Sequence, residues 1–157
     1  MLKTEHLISW EYSSLPDEML DQAKESVKAQ FEWLESGETD YEIALPIHEL
    51  KALAEGNGYY TALEREHRLE QLSFLAKQVD VMFPRLRLFL FDAHHLYSAP
   101  VTIFGNSLAI LYVGHCYLTL RDKSKVSTLM NHFDWLLRGS VIDARDVSQV
   151  IKSLTVL

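Results

Sequence analysis

The sequence is poor in residues that cross-link or interrupt a fold. It contains one cysteine, four prolines and six glycines in 157 residues. A single cysteine excludes a disulfide within the chain and fits a reducing cytoplasmic environment. The apolar runs are too short for a membrane-spanning helix, and residues 1–6 lack a basic segment followed by an apolar one. We therefore expect a cytoplasmic protein with no membrane segment and no signal peptide.

Positive charge is scarce in the first half of the chain. Residues 1–80 carry 7 Lys and Arg against 17 Asp and Glu, whereas residues 81–157 carry 8 against 5. Two predicted helices flank the turn Gly56-Asn57-Gly58, an arrangement that resembles a DNA-binding helix-turn-helix. Their acidic character would repel phosphates, so we expect two packed helices and no direct binding of nucleic acid.

Residues 86–120 form the only region dense in β-branched and aromatic residues and cut by turn residues. The predicted fold is α+β in a single domain, 1–157, with a helical acidic part over 1–80. Helical spacing of apolar residues predicts helices over about 15–36, 47–55 and 61–80, and further helices after residue 121. We expect these N-terminal and C-terminal helices to pack on an antiparallel sheet of about four strands, 86–91, 101–104, 108–113 and 116–120.

No recognised catalytic motif is present. The sequence lacks His-Glu-x-x-His, Cys-x-x-Cys, Gly-x-Ser-x-Gly and the glycine-rich nucleotide loops. Cys116 neighbours His115, but adjacent residues of a strand point to opposite faces, so the two cannot form a dyad. We predict a small buried apolar cysteine, no cofactor and no catalytic residue.

The loop 92–100 concentrates polar side chains between two predicted strands. It contains a carboxylate, two imidazoles, a phenol and a hydroxyl. Loops held on a rigid sheet are where ligand sites concentrate. The predicted ligand-binding residues are His94, His95, Tyr97, Tyr112, His115 and Tyr117. Two alternatives remain: a loop that satisfies only its own hydrogen bonds, and a metal-dependent hydrolase that uses His94 and His95.

Five segments carry a family resemblance. They are Leu-Pro-Ile-His-Glu-Leu (45–50), Gly-Tyr-Tyr (58–60), Tyr-Ser-Ala-Pro-Val-Thr-Ile-Phe-Gly (97–105), Ala-Ile-Leu-Tyr-Val-Gly (109–114) and His-Phe-Asp-Trp-Leu-Leu-Arg (132–138). Over roughly 40–157 the chain resembles the region that follows the helix-turn-helix in some bacterial XRE-type transcriptional regulators. More loosely, its layout is similar to the sensor halves of regulators with a phospholipase-D-like domain, although it has no His-x-Lys-x-x-x-x-Asp motif.

The resemblance implies an effector and dimerisation domain without phosphodiesterase chemistry. We therefore expect a regulatory ligand-sensing domain that forms a homodimer and binds a small-molecule effector. The alternatives are the small metal-dependent hydrolase and an acidic protein–protein interaction module that uses helices 15–36 and 61–80.

Overall fold

The computed structural model describes residues 2–14, 16–37, 39–113 and 116–156. The fold is α+β. Its α-helices are α1 (Glu5–Glu11), α2 (Asp17–Ser36), α3 (Ile47–Glu55), α4 (Arg65–Val81), α5 (Lys123–Arg138) and α6 (Val147–Leu154). Its strands are β1 (Tyr41–Pro46), β2 (Leu86–Phe91), β3 (Val101–Phe104), β4 (Leu108–Val113) and β5 (Cys116–Leu120).

The helices predicted in the acidic half are present, with one change at the third. The predicted helix 61–80 begins at Arg65, and a 3-10 helix, Gly58–Ala62, occupies the preceding residues. The turn after α3 is tight: Gly56 has φ 72°, and a Cβ there would clash with Nη1 of Arg68. That same guanidinium donates to the carbonyl of Ala54 at 2.9 Å. A side chain on residue 56 would therefore displace the group that caps α3.

The N-terminal segment folds back on the body as α1. Thr4 caps it, with its hydroxyl accepting from the backbone N–H of Leu7. Leu7 and Ile8 are buried. Trp10 packs edge-on against Tyr59 with ring centroids 4.9 Å apart. Its aromatic side chain therefore serves the packing of its own chain.

The sequence predicts one antiparallel sheet of four strands, and this prediction is wrong for β2. β2 has the predicted bounds but pairs in parallel with β1, Tyr41 opposite Leu86 through Pro46 opposite Phe91. Parallel pairing needs a long crossover, which α3 and α4 supply. Burial explains the choice, because Leu86, Leu88 and Leu90 all lie in the main core. On the other edge of β2, the backbone of Leu90 bonds that of Ile142.

The three remaining strands form the predicted antiparallel meander, in the order β3-β4-β5. Val101 lies opposite Leu111, and Leu111 lies opposite Leu118. Helix α5 contacts both sheets and so connects the meander to the body. Asp122 caps the start of this helix, with its side chain accepting from the N–H of Lys125 at 3.0 Å.

The main core lies among the helices and β2, beside the meander. It draws on α1, α3, α4, α6 and both parallel strands, and α2 contributes Leu34 alone to the buried set. Its fully buried large side chains include Leu34, Leu72, Leu86, Leu88, Leu90, Val147 and Ile151. Among the described residues of the meander strands, only Ala109 is buried, and those at the end of β4 and along most of β5 are exposed.

Candidate functional site

Asp92 organises the first half of the candidate loop. Its Oδ1 accepts from the backbone N–H of His94 at 2.9 Å, and its Oδ2 lies 3.0 Å from Nδ1 of His95. The backbone hydrogen bond from His94 is the main reason that the pKa of the Asp92 carboxyl is lowered from its ordinary value. The His95 side chain is 80% exposed, so its contact with Asp92 contributes little to stability. The loop thus satisfies part of its hydrogen-bonding capacity internally.

Tyr112 and Tyr117 come together on one face of the meander. They are directly opposite each other on β4 and β5, so their side chains share a face. The backbone N–H of Tyr112 donates to the carbonyl of Pro100 at 3.1 Å, which joins the end of the loop to β4. The hydroxyl of Thr102 lies 3.4 Å from that of Tyr112. We call Tyr112 and Tyr117 the tyrosine face.

Within the described residues, the other predicted ligand residues make no hydrogen bond to this pair. Across the described part of the chain, no hydrogen bond or ion pair joins His94 or His95 to Tyr97, Tyr112 or Tyr117. Tyr97 is 81% exposed. His115 lies outside the described residues. The five described candidate residues are all exposed and so form an open polar and aromatic surface on the protomer.

An exposed apolar surface on β5 was missed by the sequence reasoning. Tyr117 and Leu118 are 66% and 58% exposed, although successive strand residues point to opposite faces. Both faces of β5 are therefore open. On the face opposite the tyrosines, Leu118 adjoins Leu111 of β4, and Val113 lies opposite Cys116. We call Leu111, Val113, Cys116 and Leu118 the apolar face.

The prediction of a buried Cys116 is wrong. This residue is exposed. Strand β5 lies at the edge of its sheet, and the burial of Ala109 shows that the covered part of the meander is at the other end of β4. A cysteine in an uncovered edge strand cannot be buried by its own chain.

The edge of β5 lacks two features that natural edge strands use against unwanted pairing, charged side chains and proline. Its sequence, Cys-Tyr-Leu-Thr-Leu, contains no charged residue and no proline. Exposed strand edges present unpaired backbone N–H and C=O groups that another strand can bond. The absence of charge in β5 was visible in the sequence, but its edge position depended on the sheet topology.

A shallow depression of about 300 Å³ lies between α4 and α6, lined in part by Lys77, Asp80 and Lys152. It contains none of the predicted ligand residues. Its carboxylate and one of its lysines already pair, with Nζ of Lys152 3.0 Å from Oδ2 of Asp80. This depression therefore adds little to the candidate site.

No protein-family model matches this chain, and no curated protein and no solved structure matches it significantly. In the parts of the chain that the structure describes, none of the helices has both the length and the apolar character that a membrane crossing requires.

Proposed function

We propose that this protein is a regulatory domain that self-associates through β5 and senses a small-molecule effector on the meander. One observation carries the proposal: a central hydrophobic residue of an uncharged edge strand, Leu118, is 58% exposed. Exposed apolar surface joined to an unpaired strand edge is typical of a protein–protein contact.

The proposed occupant is a second copy of the chain, with its β5 antiparallel to the first. A two-fold axis at Leu118 gives the longest overlap, because it pairs all five residues of β5 with those of the partner. Cys116 then lies opposite Leu120 of the partner subunit, and Tyr117 lies opposite Thr119 of the partner subunit. No like charges meet in this register, since β5 has none. The result is a six-stranded sheet, three strands from each copy, in which the two-fold axis brings the same surface of both copies together.

Self-pairing also extends the apolar face. A two-fold axis perpendicular to the sheet places the apolar faces of both copies on the same side. Leu118 would contact its counterpart there, and Val113, which is 54% exposed, would lie next to this contact. Burial of such side chains adds to the hydrogen bonds of the strand pair, which alone give a weak interface.

Pairing of the two β5 strands would also bring the tyrosine faces of both copies together and so form the effector site. The tyrosine faces of the two copies would lie on the other side of the sheet, with the two Tyr117 side chains diagonal across the axis at about 7–8 Å. Four tyrosine rings around one axis suit a planar aromatic ligand, which stacks on rings and bonds their hydroxyls. The neighbouring loop would supply Tyr97, His94 and His95.

Native mass spectrometry of the full chain tests both the self-association and the binding of an effector. We expect a mass of twice 18.1 kDa plus an organic adduct. Tyr112→Ala should lose the adduct and keep the dimer, since β4 is not at the interface. Phe104→Ala is the matched control, because Phe104 shares the sheet face and is 42% exposed against 46% for Tyr112.

A dimer without an adduct would leave self-association standing and remove the effector. A bare monomer would contradict the proposal and favour the acidic interaction module instead.

A further inference from the structure

A second cluster of chemistry-bearing side chains lies where α1 docks on α4. His6 comes from α1, and His67 and Glu70 come from α4, three residues apart and so on one helix face. Nδ1 of His6 lies 2.7 Å from Oε2 of Glu70, and the two imidazole rings stack with centroids 4.3 Å apart. One ligand atom from each of the three residues lies within 4.8 Å of the others.

The backbone beside this cluster is fixed by buried hydrogen bonds. The side chain of Gln71 accepts from the N–H of Thr4 at 2.7 Å and donates to the carbonyl of Leu2 at 2.8 Å. Gln71 is only 3% exposed. Because Gln71 follows Glu70 and Thr4 precedes His6, this clamp sets the distance between the two helices at the cluster. The three side chains are therefore brought together by the fold and need little ordering to bind a ligand.

We propose that His6, His67 and Glu70 bind one divalent transition-metal ion of the zinc class. Two imidazoles and a carboxylate are ligands that Zn²⁺ accepts, with a water molecule in the fourth position. Tetrahedral coordination separates ligand atoms by about 3.3 Å, so the His6–Glu70 contact must open slightly and the His67 nitrogen must approach.

One nitrogen of His67, Nδ1, is buried without a hydrogen-bond partner among the described residues, which supports the proposal that it binds a metal ion. The ring stacks on that of His6, so the two imidazoles lie against each other beside Glu70. A metal ion would bond one nitrogen of each ring and link both rings to Glu70. It would fasten α1 to α4, independently of the self-association proposed above.

Zinc titration of the metal-free full chain by calorimetry tests the site. We expect one ion per chain, and at least about a tenfold weaker affinity for His6→Ala, His67→Ala and Glu70→Gln, each of which removes or neutralises one ligand. His48→Ala is the matched control, since His48 is another exposed imidazole beside a carboxylate, with its Nε2 3.6 Å from Oε1 of Glu49. It should leave the affinity unchanged.

Thermal unfolding provides the second readout. At a Zn²⁺ concentration about a hundred times the dissociation constant, the midpoint for the native sequence should rise by about 5–10 °C, and a chelator should reverse the rise. Glu70→Gln keeps the shape of the side chain, so a folded variant without this rise supports the site. Zinc affinity that survives all three substitutions, that depends on His48, or that is absent from the native sequence would overturn it.

Discussion

Leu118→Arg is expected to convert the proposed dimer to a monomer. In the Leu118-centred register, the substitution places two guanidinium groups against each other and removes the central apolar contact. Loss of a buried leucine contact and the added repulsion together should raise the dissociation constant at least about a hundredfold. Sedimentation equilibrium over a concentration series measures this constant.

The fold should tolerate the substitution, because Leu118 is already largely exposed in the protomer. Circular dichroism and the melting midpoint of the monomer check this. Phe104→Arg serves as the control: it places the same charge on an exposed apolar residue of the meander, away from β5. Equal dissociation constants for Leu118→Arg and the native chain would reject β5 as the interface.

Ile151→Ala should lower the free energy of unfolding by about 3–4 kcal/mol. Ile151 is fully buried in α6, a helix that packs on α4, α3 and β2, so truncation leaves a cavity between several rigid elements. Such a site cannot collapse without moving a helix, which places the cost well above that of a surface change.

Val156→Ala is the matched control, since Val156 follows the same helix and is 84% exposed. It should change the free energy by less than about 0.5 kcal/mol. Urea denaturation of both variants gives the comparison. A loss below about 1 kcal/mol for Ile151→Ala would show that α6 is not part of the cooperative core.

Local pattern sufficed for the bounds of all four predicted strands. Turn residues separate them, and Gly105, with φ 54°, forms the connection between β3 and β4. The partner of β2 could not be read in the same way, because it depends on a crossover through α3 and α4. The near-continuous apolar run Leu-Arg-Leu-Phe-Leu-Phe was nevertheless a signal, since strands buried on both faces read this way.

In the candidate site too, some contacts follow from the local sequence and others depend on how distant elements pack. The pairing of Tyr112 with Tyr117 follows from the short connection between β4 and β5, which can be read from the sequence, whereas their role in binding a ligand stays a prediction. The exposure of Cys116 depended on where α5 lies over the meander. The contact of His6 with His67 depends on the docking of α1, and no local motif joins two residues so far apart in the chain.

Disulfide trapping at Leu118 tests the central claim most directly. In a Cys116→Ser background, the substitution Leu118→Cys places one thiol of each copy on the proposed two-fold axis, within the range of a disulfide. Tyr117→Cys in the same background is the control, because Tyr117 faces Thr119 of the partner subunit. We predict a covalent dimer from the first variant under mild oxidation and little from the second. Failure of the Leu118→Cys chain to cross-link, at concentrations where the native chain is dimeric, would contradict self-association through β5.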